Sequence, residues 1–149
     1  MLIISSILLK NSTKERGVTK MVHVENVEIK KDQNGTTLHF SLCNRGNKTY
    51  YLEKRFLSDS KSDTFFGMTI MQDNQKAAYK GAYRKGAPSE FPKDYRSIEP
   101  GECLEVDVDL DRFFVWNKQK RASMSYRGFN DNPLTKDLDE IAFEYRYEP

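Results

Sequence analysis

Apolar and polar residues alternate with a period of two in two clear stretches of the chain. In "TTLHFSLCN" (36–44), Leu38, Phe40 and Leu42 fall on one face, and His39, Ser41 and Cys43 on the other. In "ECLEVDVDL" (102–110), Leu104, Val106, Val108 and Leu110 point one way, and Cys103, Glu105, Asp107 and Asp109 the other. A period of two with one apolar face predicts half-buried antiparallel strands. Weaker patterns predict further strands at 22–30, 49–54, 65–72, 121–128 and 140–148, with Ala142 or Phe143 setting which face of the last turns inward. "DQNGT" after the first strand carries an Asn-Gly turn signal, and "DNQK" after "FFGMTIMQ" is a second turn. Pro100–Gly101 suits the centre of a type II turn, because proline presets φ at the first position and glycine accepts a positive φ at the second. Short helical turns are expected at 111–118 and in "PLTKDLDE" (133–140), and no segment has a long helical period.

About seven short strands separated by turns predict an all-β fold, an immunoglobulin-like Greek-key β-sandwich. An eight-stranded barrel would show more uniform strand spacing. In such a sandwich the strands at 36–44 and 102–110 are antiparallel neighbours, a register able to bring Cys43 near Cys103 and His39 near Asp107 on the outer face. The chain has 149 residues, enough for one domain with a core of its own. Its leading run, "MLIISSILLK", is too short to span a bilayer and lacks the basic start and cleavage site of a secretory signal. Met21 opens the first convincing strand, so residues 1–20 are expected to be an N-terminal extension, outside the native domain if translation starts at Met21, and 21–149 the β-sandwich domain. With two cysteines and no export signal, reduced thiols and a cytoplasmic location are the default expectation.

Charge narrows the function classes. The whole chain carries 24 basic and 22 acidic residues, net +2. Residues 1–20 hold Lys10, Lys14, Arg16 and Lys20 against Glu15, which leaves 20 basic and 21 acidic residues beyond them. The basic excess typical of nucleic-acid binders is therefore missing from the domain.

A longer pattern resembles a known family. "FSLCNRGNKTYYL" has a strand ending in Asn-x-Gly, and "FFGMTIMQDNQK" is an aromatic-apolar strand running into a polar turn. Then come Tyr-x-Gly at Tyr79–Gly81, a basic pair and a proline at Arg84, Lys85 and Pro88, and Asp94–Tyr95. A Pro-Gly-Glu turn (Pro100–Glu102) and Asp-Leu-Asp (Asp109–Asp111) close the series. This order resembles the immunoglobulin-like β-domain found with deuterolysin-type and peptidyl-Lys zinc metalloproteases, here as a stand-alone domain without the catalytic part. The resemblance spans about half the chain. It implies a sandwich fold and a role beside proteases.

The residues give that resemblance no catalytic counterpart. Zinc proteases of that kind need His-Glu-x-x-His on a helix, whereas this chain has only His23 and His39, both in expected strands. No metal site, cofactor or catalytic residue is expected, and the chain is read as non-enzymatic. Asp107, Asp109 and Asp111 at every second position are read as the solvated face of a strand, about 7 Å apart, rather than as calcium ligands. Cys43 and Cys103 are read as two thiols or an incidental cross-strand pair rather than a redox or catalytic couple.

What remains is recognition. "YKGAYRKGAPSEFPKDYRSIEPGEC" (79–103) interleaves tyrosine with cations and is expected to be a long ordered loop that ends in a tight turn, with 79–97 as its contact surface. Its Tyr79, Tyr83, Arg84, Phe91 and Tyr95 are the expected anchors for a protein partner, aromatics and arginine being the side chains enriched at such contacts. The partner would be a protease or toxin that this module inhibits, protects against or helps to fold. The alternative is a small single-stranded nucleic-acid-binding domain using the basic-aromatic loop 79–97, with bases stacked on the tyrosines. No membrane partner is expected, and the oligomeric state is not legible.

Overall fold

The computed structural model describes residues 21–58, 63–83, 89–128 and 140–149. The expected extension at 1–20 and most of the helical turn expected at 133–140 lie outside the described residues, as does Arg84. The strands are β1 (Val22–Asp32), β2 (Gly35–Asn44), β3 (Tyr50–Glu53), β4 (Met68–Gln72), β5 (Gln75–Lys76), β6 (Ala78–Tyr79), β7 (Tyr95–Ile98), β8 (Cys103–Asp109), β9 (Phe114–Val115), β10 (Ala122–Gly128) and β11 (Ile141–Tyr147). A 3-10 turn follows β3 at Lys54–Phe56, and a single helical turn, α1 (Leu110–Phe113), follows β8. The fold is all-β, as the alternation predicts, with antiparallel sheets packed as a sandwich.

One layer has the order β1-β2-β8 and the other β11-β10-β4-β5. Strands far apart in sequence are thus neighbours, β2 with β8 and β4 with β10, as a Greek-key path requires. The apolar faces meet in one core that includes Leu38, Phe40, Leu42, Val106 and Val108 from the first layer and Ile70, Met124, Tyr126 and Ile141 from the second. Phe40 bridges the layers, its ring 5.3 Å from Tyr126 and 5.1 Å from Phe143. Aromatic pairs at such separations add to the burial of their area.

Several local features have plain sequence causes. Val22 and Val24 share a face with Val27 and Ile29 although the spacing slips by one residue, and the strand absorbs the slip in a bulge between Glu25 and Glu28, with Asn26 at φ 55°. The turn "DN" between Gln72 and Gln75 has both Asp73 and Asn74 at positive φ, the type I′ geometry that matches strand twist. Gly101, at φ 84°, completes the expected Pro-Gly turn, with the Glu102 N–H donating to the Glu99 carbonyl at 2.8 Å. "DQNG" makes the expected tight connection between β1 and β2, Asp32 pairing with Gly35. Its turn residues are Gln33 and Asn34, neither at positive φ, and Gly35 is already the first residue of β2.

Two expectations are corrected. The stretch 79–97 is not one long loop, since it begins in β6 and ends in β7, and β7 pairs with β3 from Tyr50↔Ile98 to Glu53↔Tyr95. Asp111 does not share a strand face with Asp107 and Asp109. It lies in α1, where its carboxylate accepts from the Thr36 N–H at 3.0 Å and meets Lys118 Nζ at 3.1 Å.

Candidate recognition surface

Four of the five expected anchors fall into two aromatic groups; the fifth, Arg84, lies outside the described residues. Tyr79 lies in β6, which pairs with β9 through Tyr79↔Phe114. Its hydroxyl accepts from the Phe65 N–H at 3.2 Å and donates to the Ala82 carbonyl at 2.9 Å, so the side chain fastens two neighbouring segments together. Burial is the main influence on this phenol and raises its pKa above the ordinary value near 10, with the Phe65 N–H pulling the other way and Tyr83 and Asp63 adding to the rise. Gly81 explains the Tyr-x-Gly spacing. A Cβ there would stand 2.6 Å from the Tyr79 hydroxyl and 2.8 Å from the Phe113 ring, so the chain folds this closely over Tyr79 only without a side chain.

Tyr83 is the exposed member of this group, 67% accessible. Its ring meets Tyr79 edge-on at 5.1 Å and lies 6.2 Å from Phe66, while Tyr79 rests 5.7 Å from Phe114. Beside them runs a groove of about 420 Å³ between Phe66, Met68 and Thr69 on one side and Lys76, Tyr79 and Tyr83 on the other. The groove lies where the chain leaves β4 after Ala77, whose N–H still donates to the Ile70 carbonyl at 2.8 Å, and goes on to join β9.

Phe91 and Tyr95 form the second group with Tyr51 of β3. Phe91 lies edge-on to Tyr51 at 4.9 Å and to Tyr95 at 5.4 Å. Phe91 is partly exposed, but Tyr95 is a strand residue only 8% accessible, so its ring supports Phe91 instead of offering a free surface. Sequence reasoning missed Phe66, Phe114 and Tyr51, which complete the two groups. The doublets Phe65–Phe66 and Phe113–Phe114 were a usable signal, because Phe65 and Phe113 are buried in the core while Phe66 is only partly buried and Phe114, also a core residue, carries the pairing with Tyr79.

Near this surface Glu53 is a buried carboxylate, its side chain 1% exposed and held by Arg55 at 2.9 Å and by the Ser89 hydroxyl. Across β2 and β8 the predicted register is present. Cys43 faces Cys103 and His39 faces Asp107 across β2 and β8. Cys43 and Cys103 form a disulfide, which replaces the expected reduced thiols. Both ring nitrogens of His39 meet carboxylates, Asp107 at 2.7 Å and Glu105 at 3.1 Å. Among the described residues no cluster of three or more His, Cys, Asp or Glu is arranged to hold a metal ion, and no helix is long and apolar enough to cross a membrane.

No family model and no curated protein matches the sequence. Among solved structures, the chain is similar to a Bacillus subtilis subsp. subtilis strain 168 protein, ycdA, described there as a lipoprotein, at 16% identity and a TM-score of 0.41. The match takes in 86% of this chain and 37% of that one, so the chain spans well under half of that protein's length.

Proposed function

We propose that this protein is a non-catalytic recognition module that binds a protein partner through the groove beside Tyr83. The observation that carries the reading is Tyr83 itself. A large ring, mostly exposed yet held in place by Tyr79 and Phe66, stands at the edge of an aromatic-walled groove. Pre-positioned aromatics at a concave site are the usual anchors of protein contacts, because their area is buried on binding at little entropic cost. Tyr79 positions the anchor, and Phe91 with Tyr51 and Tyr95 offers a second, smaller contact. The resemblance to a protease-associated β-domain supports a protease or toxin as the partner, with this module as its inhibitor, immunity protein or folding helper. The Cys43–Cys103 disulfide favours an oxidising compartment over the cytoplasm, where thiols are kept reduced.

The test is recovery of partners from the native host on immobilised protein, followed by titration of the best hit against wild type and variants at two salt concentrations. Tyr83→Ala is expected to weaken binding by about 2 kcal/mol and Lys80→Ala to change it little. Recovery of nucleic acid alone would overturn the proposal, the more so with equal losses at every cation and a log–log salt slope near about −0.7 per phosphate.

A further inference from the structure

A second surface, remote in the sheet order from the groove and independent of it, lies along β8. This strand ends the order β1-β2-β8, and no strand pairs with its outer side among the described residues. The phase of the ladder shows which backbone groups face that side. The Asn44 N–H donates to the Glu102 carbonyl at 2.9 Å, so Asn44 and Glu102 form a hydrogen-bonded pair. The register then makes Leu42↔Leu104, Phe40↔Val106 and Leu38↔Val108 hydrogen-bonded pairs in turn, because the two pair types alternate. The N–H and C=O groups of Cys103, Glu105 and Asp107 therefore point outward, away from β2. The side chains beside them are acidic and open to water, Glu105 57% and Asp107 65% exposed; the His39 ring meets both carboxylates, and the Ser41 hydroxyl donates to Glu105 at 2.7 Å.

We propose that the β8 edge takes an additional strand from an extended basic peptide, one that alternates apolar residues with lysine or arginine. The outward N–H and C=O groups would supply the ladder, as in other recognition by strand addition. Basic side chains would lie opposite Glu105 and Asp107, and apolar ones beside the half-exposed Leu104. Charge decides between occupants. A second copy pairing through β8 would set Glu105, Asp107 and Asp109 against the same row, and like charges directly opposite are destabilising. Acidic side chains on an edge also guard against self-association, and that guard leaves a cationic strand as the complementary partner.

The experiment uses the full chain and a blocked hexapeptide alternating valine and lysine, followed by fluorescence anisotropy and by amide hydrogen exchange. Binding should slow exchange at Cys103, Glu105 and Asp107 by at least about tenfold, while Leu104, Val106 and Val108, already bonded to β2, stay unchanged. A peptide with glutamate in place of lysine, or one N-methylated at the pairing amides, should not bind. Asp107→Lys should weaken binding at least about tenfold, and Glu105→Gln serves where that variant fails to fold. Absence of binding, equal binding of the N-methylated peptide, or binding that leaves the three amides unprotected would overturn the proposal, the last two marking charge attraction without strand pairing.

Discussion

Asn44 donates its side-chain amide to the Ile98 carbonyl at 2.7 Å, tying the end of β2 to the end of β7. The same amide reaches the Lys48 carbonyl at 2.8 Å, and its oxygen accepts from the Gly46 N–H at 2.9 Å. Asn44 is fully buried at the point where the β2–β8 ribbon gives way to β3–β7, so it satisfies backbone groups that the change of pairing leaves over. This is the structural content of the Asn-x-Gly motif. Asn44→Ala is expected to cost about 3 kcal/mol, since three bonds are lost in a buried site. Asn44→Asp should cost a similar amount, because a carboxylate cannot donate to the two carbonyls. Denaturant titration measures both, and a loss below about 1 kcal/mol would refute this role.

Tyr79 and Tyr83 should separate stability from binding. Tyr79→Phe removes the acceptor for Phe65 and the donor to Ala82 and is expected to cost about 1–2 kcal/mol. Tyr83→Ala, at a mostly exposed ring, should change stability by less than about 0.5 kcal/mol. Thermal melts of the two variants, set beside partner binding, check the division.

Stability should fall at alkaline pH through Tyr126. This phenol is buried and donates to the Phe56 carbonyl, and burial, with a smaller push from Tyr50, holds its pKa well above the ordinary 10.0. A tyrosine with a raised folded-state pKa lends stability that is whole below the unfolded value and is lost as pH rises beyond it. Unfolding is therefore expected to become easier above pH 10.0, the ordinary value of the phenol. Tyr126→Phe should flatten that dependence while costing about 1 kcal/mol at neutral pH. An unchanged alkaline slope in the variant would show that other groups carry the effect.

Removing one partner of the Glu53–Arg55 pair should be costly. Glu53→Gln leaves Arg55 facing a neutral group beside the core, and a loss of about 3 kcal/mol is expected, the low end for a buried pair because Arg55 is itself a third exposed. The double variant Glu53→Gln, Arg55→Met should recover part of that loss in a chemical melt.

Opening the disulfide should lower stability without unfolding the sheet at room temperature. Cys43 and Cys103 are separated by 60 residues, and closing a loop of that length is worth roughly 4 kcal/mol through the unfolded chain. The pair also sits at one end of a seven-position ladder between β2 and β8, from Thr37↔Asp109 to Cys43↔Cys103, so a Cys43→Ala, Cys103→Ala variant should keep its β-sheet circular dichroism and melt at a lower temperature.

Alternation along 36–44 and 102–110 was enough to predict two strands and their inward faces. Both follow from the pleat, which sends successive side chains to opposite faces whatever the rest of the chain does. The opposition of Cys43 with Cys103 and His39 with Asp107 needed in addition the Greek-key pairing of the two strands, which only the sandwich supplies. Pro100–Gly101 was equally local, since its φ preferences belong to the two residues themselves. The partners of short strands were not local. Nothing in "YRSI" marks it as the mate of "YYLE", because a four-residue strand is defined by the chain that hydrogen-bonds to it. The same holds for the candidate site. Five residues in one stretch suggested one surface, yet the path through β6 and β7 places Tyr79 and Tyr83 with Phe66 and Phe114, and Phe91 and Tyr95 with Tyr51. Exposure was decided there too. Tyr83 and Tyr95 are the same residue type, and only the packing of distant strands makes one an open anchor and the other part of the wall behind it.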